Sequence, residues 1–490
     1  MKNKPLVKSL TRYTSSNIYQ RVCGIINTFI KPRLLSPDLY GIWNILSLVA
    51  TYATYLHLGS RNSMFYRIPY AKGKEDHGKA AAIEASTFYG SLAVTLVAVA
   101  GVLLYAVFRE QTDAVRIGLF VIAGLILLNW YFDFYFVYLI AHQDFMLPSR
   151  MNYLKATIAV FLNAVLIYFF SIYGLYLAAL LTVLFGVAVF RKVRPLEFRS
   201  GFHFGTFREL VAGGMPVMLY NITNELVSTS DKVIVAYFLG SEQLGFYAIT
   251  GLVFNFLMQI PGDARDVIEP DLMRGADHRT PEANLAEYFF KPLAYTGALM
   301  PFLIGPAVFC APVFIHLLLP RYLPGILPTQ IIVLGSYFFA LAYVARGIIV
   351  AYNGQVRAAL IISAVVLLNI VLGILLIKAG FGLAGVATGS SVSFLVLFVA
   401  LCAFIRKRHK GSASVWSAAA RDVVRPFVFI VAAIALLEAV SRMLAIHEIA
   451  TALLKTGIFL AASYGLLAYT GKRSPSLQGM DVRKLFKRKG

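Results

Sequence analysis

Residues 17–28, NIYQRVCGIINT, and residues 221–232, NITNELVSTSDK, lie 204 positions apart and carry the same pattern. In the first, Asn17, Gln20, Arg21, Gly24, Asn27 and Thr28 recur at i, i+3, i+4, i+7 and so share one face of an α-helix. Ile18, Val22, Ile25, Ile26 and Phe29 fill the other faces. In the second, Asn221, Asn224, Glu225, Ser228, Asp231 and Lys232 fall at the matching positions. Both stretches sit in segments otherwise apolar enough to span a bilayer. A charged side chain near the bilayer centre costs about 2.5–3.5 kcal/mol even on lenient insertion scales. A face with several polar groups is therefore expected to line water or a ligand, and two such faces in an internal repeat point to one cavity between two half-molecules.

Composition sets the class. Of 490 residues, 59% are hydrophobic, and the mean hydropathy is +0.71, whereas soluble domains hold about 45–50% apolar residues. Apolar runs of roughly twenty residues, the length that crosses a hydrocarbon core of about 30 Å, recur along nearly the whole chain. The sequence is that of an all-α polytopic membrane protein. The longest polar gap, near 262–291, is only about thirty residues, too short for a soluble catalytic domain. The three cysteines, Cys23, Cys310 and Cys402, fall inside apolar spans and read as small buried hydrophobes rather than a disulfide framework or metal site. The basic N-terminus lacks the apolar core and cleavage site of a removable signal peptide, so the first span is expected to remain.

About fourteen spans are expected, near 15–34, 39–59, 86–108, 117–140, 151–171, 174–190, 211–232, 243–262, 292–315, 329–351, 358–377, 383–405, 426–443 and 449–470. With both termini in the cytoplasm, most of the 45 Lys and Arg fall on cytoplasmic segments. The positive-inside rule asks for that asymmetry. The net charge of +21 is then mainly a topology signal, and nucleic acid is not an expected partner. Outer loops are short turns such as Tyr173-Gly174 and Gly380-Phe381-Gly382, while the longer connections at 60–85, 191–210, 262–291 and 406–425 lie inside.

The repeat extends past the stripes. SPDLYGIW (36–43) aligns with GSEQLGFY (240–247), matching Gly41 to Gly245 and Trp43 to Tyr247 at the same offset, and Arg61 maps onto Arg265. YGLYLAA (173–179) resembles FGLAGVA (381–387) at offset 208. Six spans return the chain to its starting side, so the two halves form parallel repeats, a transporter architecture with substrate at the interface. The expected organisation is an N-terminal six-helix lobe at 1–190, a cytoplasmic linker at 191–210 and a second six-helix lobe at 211–405. An accessory helix pair at 406–470 and a basic tail at 471–490 follow.

Several residues compete for function. For the stripe residues Asn17, Gln20, Arg21, Asn221 and Asn224, helix–helix packing at about 0.6 kcal/mol per polar contact is the bland reading, and cavity lining the functional one. Arg61 and Arg265 are either topology anchors or a basic rim for an anionic head group, since a guanidinium donates two parallel hydrogen bonds to phosphate. Arg67 and Lys72 extend that rim. Arg346 either lines the second lobe or snorkels to the interface. Glu225 and Asp231 are candidates for ion coupling, as is Asp133, for which a structural ion pair at the depth of Arg21 is the default. Glu438 and Lys455 lie at similar depth in the last hairpin and are expected to pair. Gly213-Gly214-Met215-Pro216 reads as a bend point. No GxxxxGK[ST], HExxH or GxSxG motif occurs, and His57, His142, His316 and His447 lack metal-ligand spacing. No cofactor, metal or catalytic residue is expected, and the chain reads as a non-enzyme.

The helix pattern, LLSPDLYGIW after the first span and DKVIVAYFLGSEQLGFY after the seventh together resemble polysaccharide flippases of the Wzx type. These belong to the multidrug/oligosaccharidyl-lipid/polysaccharide (MOP, MATE-like) exporter superfamily, and the resemblance covers roughly residues 8–470. It implies two six-helix lobes around a central cavity, working by alternating access in a bacterial inner membrane. The implied cargo is a polyprenyl-diphosphate-linked oligosaccharide for surface polysaccharide. Membrane lipids and the polymerase and glycosyltransferases of the same pathway are the implied partners. Fourteen spans fit the polysaccharide and lipid-linked branches better than most drug exporters, although the mixed charge of Arg21 against Glu225 and Asp231 departs from a purely cationic lumen. An ion-coupled multidrug exporter is the second reading. A membrane polysaccharide polymerase or ligase is the third, and the short outer loops speak against it.

Overall fold

The computed structural model describes residues 4–193, 195–196, 198, 200–275, 286–351, 354–409, 413–441 and 448–473, with the side chains at 4–11, 260, 263–275, 286–287, 347, 350–351, 408–409, 413–415 and 471–473 outside the description. Fourteen α-helices occupy these residues. The first seven are α1 (Lys4–Leu34), α2 (Pro37–Ala53), α3 (Ser60–Gly73), α4 (His77–Phe108), α5 (Asp113–Ala141), α6 (Met146–Val193) and α7 (Phe204–Phe238). The rest are α8 (Gly240–Gly275), α9 (Lys291–Leu318), α10 (Ile326–Ala351), α11 (Gln355–Lys378), α12 (Gly382–His409), α13 (Ala413–Ser441) and α14 (Glu448–Arg473). Every expected span falls on a helix over most of its length, and positions 442–443 of the thirteenth lie outside the described residues. Among the described residues nine helices are long and apolar enough to cross a membrane by length and composition alone. The chain is a multi-pass membrane protein.

Helix and span do not correspond one to one. Ser36, extended at ψ 157°, precedes Pro37, which opens α2 at its first turn. Proline forces the residue before it out of the helical region and is itself preset for a helix start. The second span then breaks at Leu58 and Gly59, with φ of 50° and 83°, where the Gly59 N–H donates to His57 Nδ1 at 2.9 Å. Beyond the break the polar stretch expected as a connection at 60–85 holds α3 and the first turns of α4. In α6 the backbone leaves helical geometry at Ser171 (φ 53°, ψ −130°), two residues before the expected Tyr173-Gly174 turn. The chain folds back there: a Cβ on Gly186 would lie 3.7 Å from Met151 Cε. The expected turn at Gly380-Phe381-Gly382 is present, with both glycines at positive φ.

The chain divides into two compact units, Met1–Glu225 with Gly240–Gly245, and Leu226–Leu239 with Phe246–Gly490. It passes from the first to the second within α7. In the first unit Met64, Ile68, Ile83, Phe134, Ala141 and Leu210 form a buried cluster. Residues of the expected 191–210 linker cover it: Leu196 and Phe198 pack on the cluster, and the Phe198 ring lies 4.8 Å from that of Phe88. The His203 N–H donates to Ser86 Oγ at 3.1 Å.

Two close backbone approaches organise the same unit. A Cβ on Gly41 would collide with the carbonyl of Ser241, and one on Gly245 would collide with that of Pro37. Pro37 and Ser241 are themselves 204 apart, so the two repeat motifs meet reciprocally, and the Ser241 hydroxyl donates to the Asp38 carboxylate. Likewise, Cβ atoms on Gly59 and Gly214 would each run into the other's backbone, next to a 2.6 Å hydrogen bond from Ser63 Oγ to the Leu210 carbonyl. α7 is one continuous helix through Pro216, and Gly214 serves this approach. In the second unit α13 and α14 are joined by the expected pair, with Lys455 Nζ 2.9 Å from Glu438 Oε1.

Gly41→Leu and Gly245→Leu should therefore each cost more than the about 1–3 kcal/mol typical of overpacking, because the obstacle is backbone that cannot change rotamer. Gly465→Ala, where nothing lies within 4 Å, should be neutral or stabilising. Size-exclusion profiles and thermal midpoints of the tagged, purified variants would check this. Equal profiles for all three would contradict it.

Candidate functional site

The polar face of α1 divides into two parts. Along one edge it is tied to α6: Asn152 Nδ2 donates to Asn17 Oδ1 at 2.8 Å, and Asn163 Nδ2 to Asn27 Oδ1 at 3.0 Å. Tyr19 Oη and Thr157 Oγ1 add a contact of 2.8 Å. For Asn17 and Asn27 the helix-packing role is thus realised. The centre of the stripe is different, since Gln20, Arg21 and Gly24 are exposed and a Cβ on Gly24 would meet open space.

Arg61 sits inside the first unit and is 7% exposed. The helical break at Leu58-Gly59 turns α3 so that Arg61 points at α5. There Nη1 lies 3.5 Å from Asp133 Oδ2, and Nη2 donates to the Trp130 carbonyl at 3.3 Å. Its Nε has no hydrogen-bond partner among the described residues. The Trp130 indole is held in turn by Ser91 Oγ at 2.9 Å. Asp133 thus forms a structural ion pair, but with Arg61 and not with the Arg21 at whose depth it was expected to pair. Two further basic groups of the expected rim, Arg67 and Lys72, are engaged as well. Arg67 Nη1 lies 3.4 Å from Glu209 Oε2, and Lys72 Nζ lies 2.7 Å from His142 Nδ1, whose Nε2 is 2.8 Å from Glu84 Oε1. The side chain of Arg265 lies outside the described residues.

On α7 the stripe goes from open to closed along the helix. Asn221 is exposed, Asn224 and Glu225 are half-buried, and Asp231 is only 7% exposed. Asn224 Nδ2 donates to the Tyr220 carbonyl at 2.7 Å. Asp231 accepts from the Tyr247 hydroxyl at 2.7 Å and from the Lys232 N–H at 2.8 Å. Next to it Asn369 of α11 donates to Ser230 Oγ at 3.0 Å and accepts from Ser390 of α12 at 3.2 Å. Arg346, 2% exposed, lies over the rings of Tyr343 and Phe339, with its guanidinium carbon 4.2 and 4.9 Å from their centroids.

Sequence reading did not find Tyr247, Asn369, Ser230 and Ser390 as partners of the Asp231 region. The available signal was Asn369, a lone amide in an otherwise apolar span. Nor did it find Asn152 and Asn163, which follow the same logic on α6. Among the described residues no group of three or more His, Cys, Asp and Glu is placed to hold a metal ion. Chemically, the exposed centre of the α1 stripe offers an amide and a permanent cation, a set suited to holding an anionic, hydroxyl-rich ligand.

Removing one partner of the Arg61–Asp133 pair leaves the other charged and short of partners. Arg61→Ala should destabilise the protein by on the order of 2–3 kcal/mol, below the about 3–5 for a fully buried pair, because the Asp133 side chain is 38% exposed. Arg61→Ala with Asp133→Ala should recover part of that loss. Thermal unfolding of the four-member cycle in detergent would read the coupling, and strictly additive losses would mean that the pair contributes nothing.

The solved structures to which this chain is similar are exporters and flippases with little sequence in common with it. The lipid II flippase MurJ, in an inward closed conformation, superposes with a TM-score of 0.68 at 12% identity, over 93% of this chain and 99% of that one. An inward-facing multidrug resistance MATE family transporter of the MOP superfamily gives 0.66 at 13%, over 80% and 94%. A MOP superfamily transporter from Pyrococcus furiosus gives 0.54 at 13%, over 83% and 95%. These likenesses establish the fold. No curated protein matches the sequence. A family model described as polysaccharide biosynthesis protein matches residues 32–323, more than half of the chain. The chain therefore belongs to the polysaccharide biosynthesis protein family, on the fold of the MOP superfamily.

Proposed function

We propose that this protein is a flippase that moves a polyprenyl-diphosphate-linked oligosaccharide across the bacterial inner membrane by alternating access, for surface polysaccharide assembly. The observation that carries the reading is the exposed centre of the α1 stripe, where Gln20, Arg21 and Gly24 are exposed while Asn17 and Asn27 lie half-buried against α6. A polar, cationic patch on a membrane helix is costly unless it meets water or a ligand. In a polysaccharide-biosynthesis chain with an exporter fold, a lipid-linked diphosphate sugar fits that need. Gln20 and Arg21 would contact the head group, with Asn221 and Asn224 of α7 on the matching face. Arg61, Arg265 and Arg346 would be the further basic groups that draw the head group in. The lobes would comprise 1–190 and 211–405, joined by 191–210 and followed by the helix pair at 406–470, with both termini cytoplasmic. Partners would be the polymerase and glycosyltransferases that consume and supply the lipid-linked glycan.

Ion-coupled export of small molecules is the second reading, favoured by one observation. Asp231 is a buried carboxylate with a tyrosine hydroxyl and a serine–asparagine–serine relay beside it. Asp231 would bind the coupling cation or proton, with Glu225 and Asp133 as further candidates.

In a background lacking Cys23, Cys310 and Cys402, single cysteines at Gln20 and Arg21 should react with a small water-soluble thiol reagent. Cysteines at Asn17 and Asn27 should be several-fold slower. Arg21→Lys should keep partial export, since it preserves the charge but not the fork, while Arg21→Glu should abolish export by repelling the diphosphate at short range. Surface polysaccharide would be quantified in a strain lacking the chromosomal copy. Normal polysaccharide with Arg21→Glu, at normal protein abundance, would rule out the lipid-linked substrate. Drug resistance lost with Asp231→Asn, but polysaccharide unchanged, would favour the second reading.

A further inference from the structure

In the second unit a groove of about 590 Å³ runs between α9, α10, α12 and α13. Leu293, Phe338, Leu395, Phe398, Val399 and Val424 give it an apolar floor and walls. Along α12 its lining extends from Leu395 to Arg406. At about 1.5 Å per residue that is roughly 16 Å, about half of a hydrocarbon core of about 30 Å. The groove is therefore one leaflet deep.

Its polar groups gather at one end. Arg406 closes the lining where the apolar part of α12 gives way to the basic run Arg406-Lys407-Arg408-His409-Lys410. Trp416 and Ser417, at the start of α13, stand with it. The indole Nε1 of Trp416 is buried and has no hydrogen-bond partner among the described residues. Lys407 and Arg421 are exposed nearby in sequence, and no carboxylate lines the groove. A buried donor without an acceptor costs about 1–3 kcal/mol, so an acceptor that arrives with an apolar tail would be favoured there. Basic pockets between membrane helices at head-group depth attract anionic lipids.

We propose that this groove binds one acyl chain of an anionic glycerophospholipid from the surrounding bilayer, with the phosphate on Arg406 and an ester or phosphate oxygen accepting from the Trp416 indole. Depth sets the choice of lipid. A chain that ends within its own leaflet matches the groove, whereas a polyprenyl tail is longer than one leaflet. The site is separate from the polar stripes and does not depend on what the protein transports.

The test uses full-length protein in detergent micelles with Trp43→Phe and Trp130→Phe, so that Trp416 is the sole indole. Phosphatidylglycerol and phosphatidylcholine carrying dibrominated acyl chains quench a tryptophan only at short range. Phosphatidylglycerol should quench Trp416 at about fivefold lower mole fraction than phosphatidylcholine, the discrimination one basic group gives near an anionic surface. Arg406→Ala should remove the difference, and Ala403→Phe, which fills the groove, should reduce quenching by both lipids. Equal quenching by the two lipids in the parent would overturn the proposal, as would a preference that survives Arg406→Ala. Displacement of phosphatidylglycerol by an equimolar polyprenyl phosphate would also overturn it. If the tryptophan background does not fold, the parent chain gives the answer by thermal unfolding. A midpoint that rises with phosphatidylglycerol but not phosphatidylcholine, and only with Arg406 present, supports the site; no rise overturns it.

Discussion

Backbone-to-backbone contact between Gly41 and Ser241, and its mirror between Gly245 and Pro37, is the constraint on which much else rests. Without a hydrophobic driving force between helices in lipid, association depends on close packing and on hydrogen bonds between polar side chains. Two helix starts can approach this closely only where side chains are missing. The sequence repeat places a glycine at the same point of each motif, so each supplies the gap that the other's backbone fills. Pro37 also fixes where α2 begins, because the extended Ser36 before it cannot join α1. The Gly59–Gly214 approach does the same for α3 and the first part of α7. The Leu58-Gly59 break that permits it also turns Arg61 inward to Asp133.

The spans and the repeat were legible in the sequence because hydropathy and offset are one-dimensional properties. All fourteen expected spans lie on helices over most of their length, and the glycine match was visible as an alignment, though not as a contact. What sequence does not carry is direction around a helix relative to its neighbours. Arg61 was placed at its depth, yet depth alone cannot distinguish a rim from a buried ion pair. Asn17 and Asn27 belong to the same stripe as Gln20 and Arg21, and only the position of α6 separates half-buried residues from exposed ones. Hydropathy marked 60–85 only as a connection between spans, and it did not show that most of it is helical, as α3 and the start of α4. The packing of the 191–210 segment was not legible either, because the aromatic pocket that receives Phe198 is assembled from α4 and α5.

Within each unit the polar side chains first hold the bundle together. Asn163 ties α6 to α1, and Asn369 ties α11 to α7 and α12. Such amides are worth less than 1 kcal/mol apiece on average, but they set register, since apolar faces in lipid slide past one another at little cost. The exposed positions of the stripes depend on this scaffolding. Where Arg21 stands on the surface of α1 is set by Asn17 and Asn27, on the same helix, which fix how α1 is rotated.

Asn27 and Asp231 occupy equivalent places in the repeat, 204 residues apart. In the first copy the amide bonds to the helix alongside it. In the second the neighbouring Ser230 takes over that tie, and the carboxylate at 231 bonds to Tyr247 instead. A duplicated scaffold thus holds redundancy that a single-copy bundle lacks: one residue can keep the architecture while its counterpart acquires a charge. Divergence between the halves then becomes a route to new chemistry that leaves the fold intact, and chains of very different sequence can share this frame while treating different cargo.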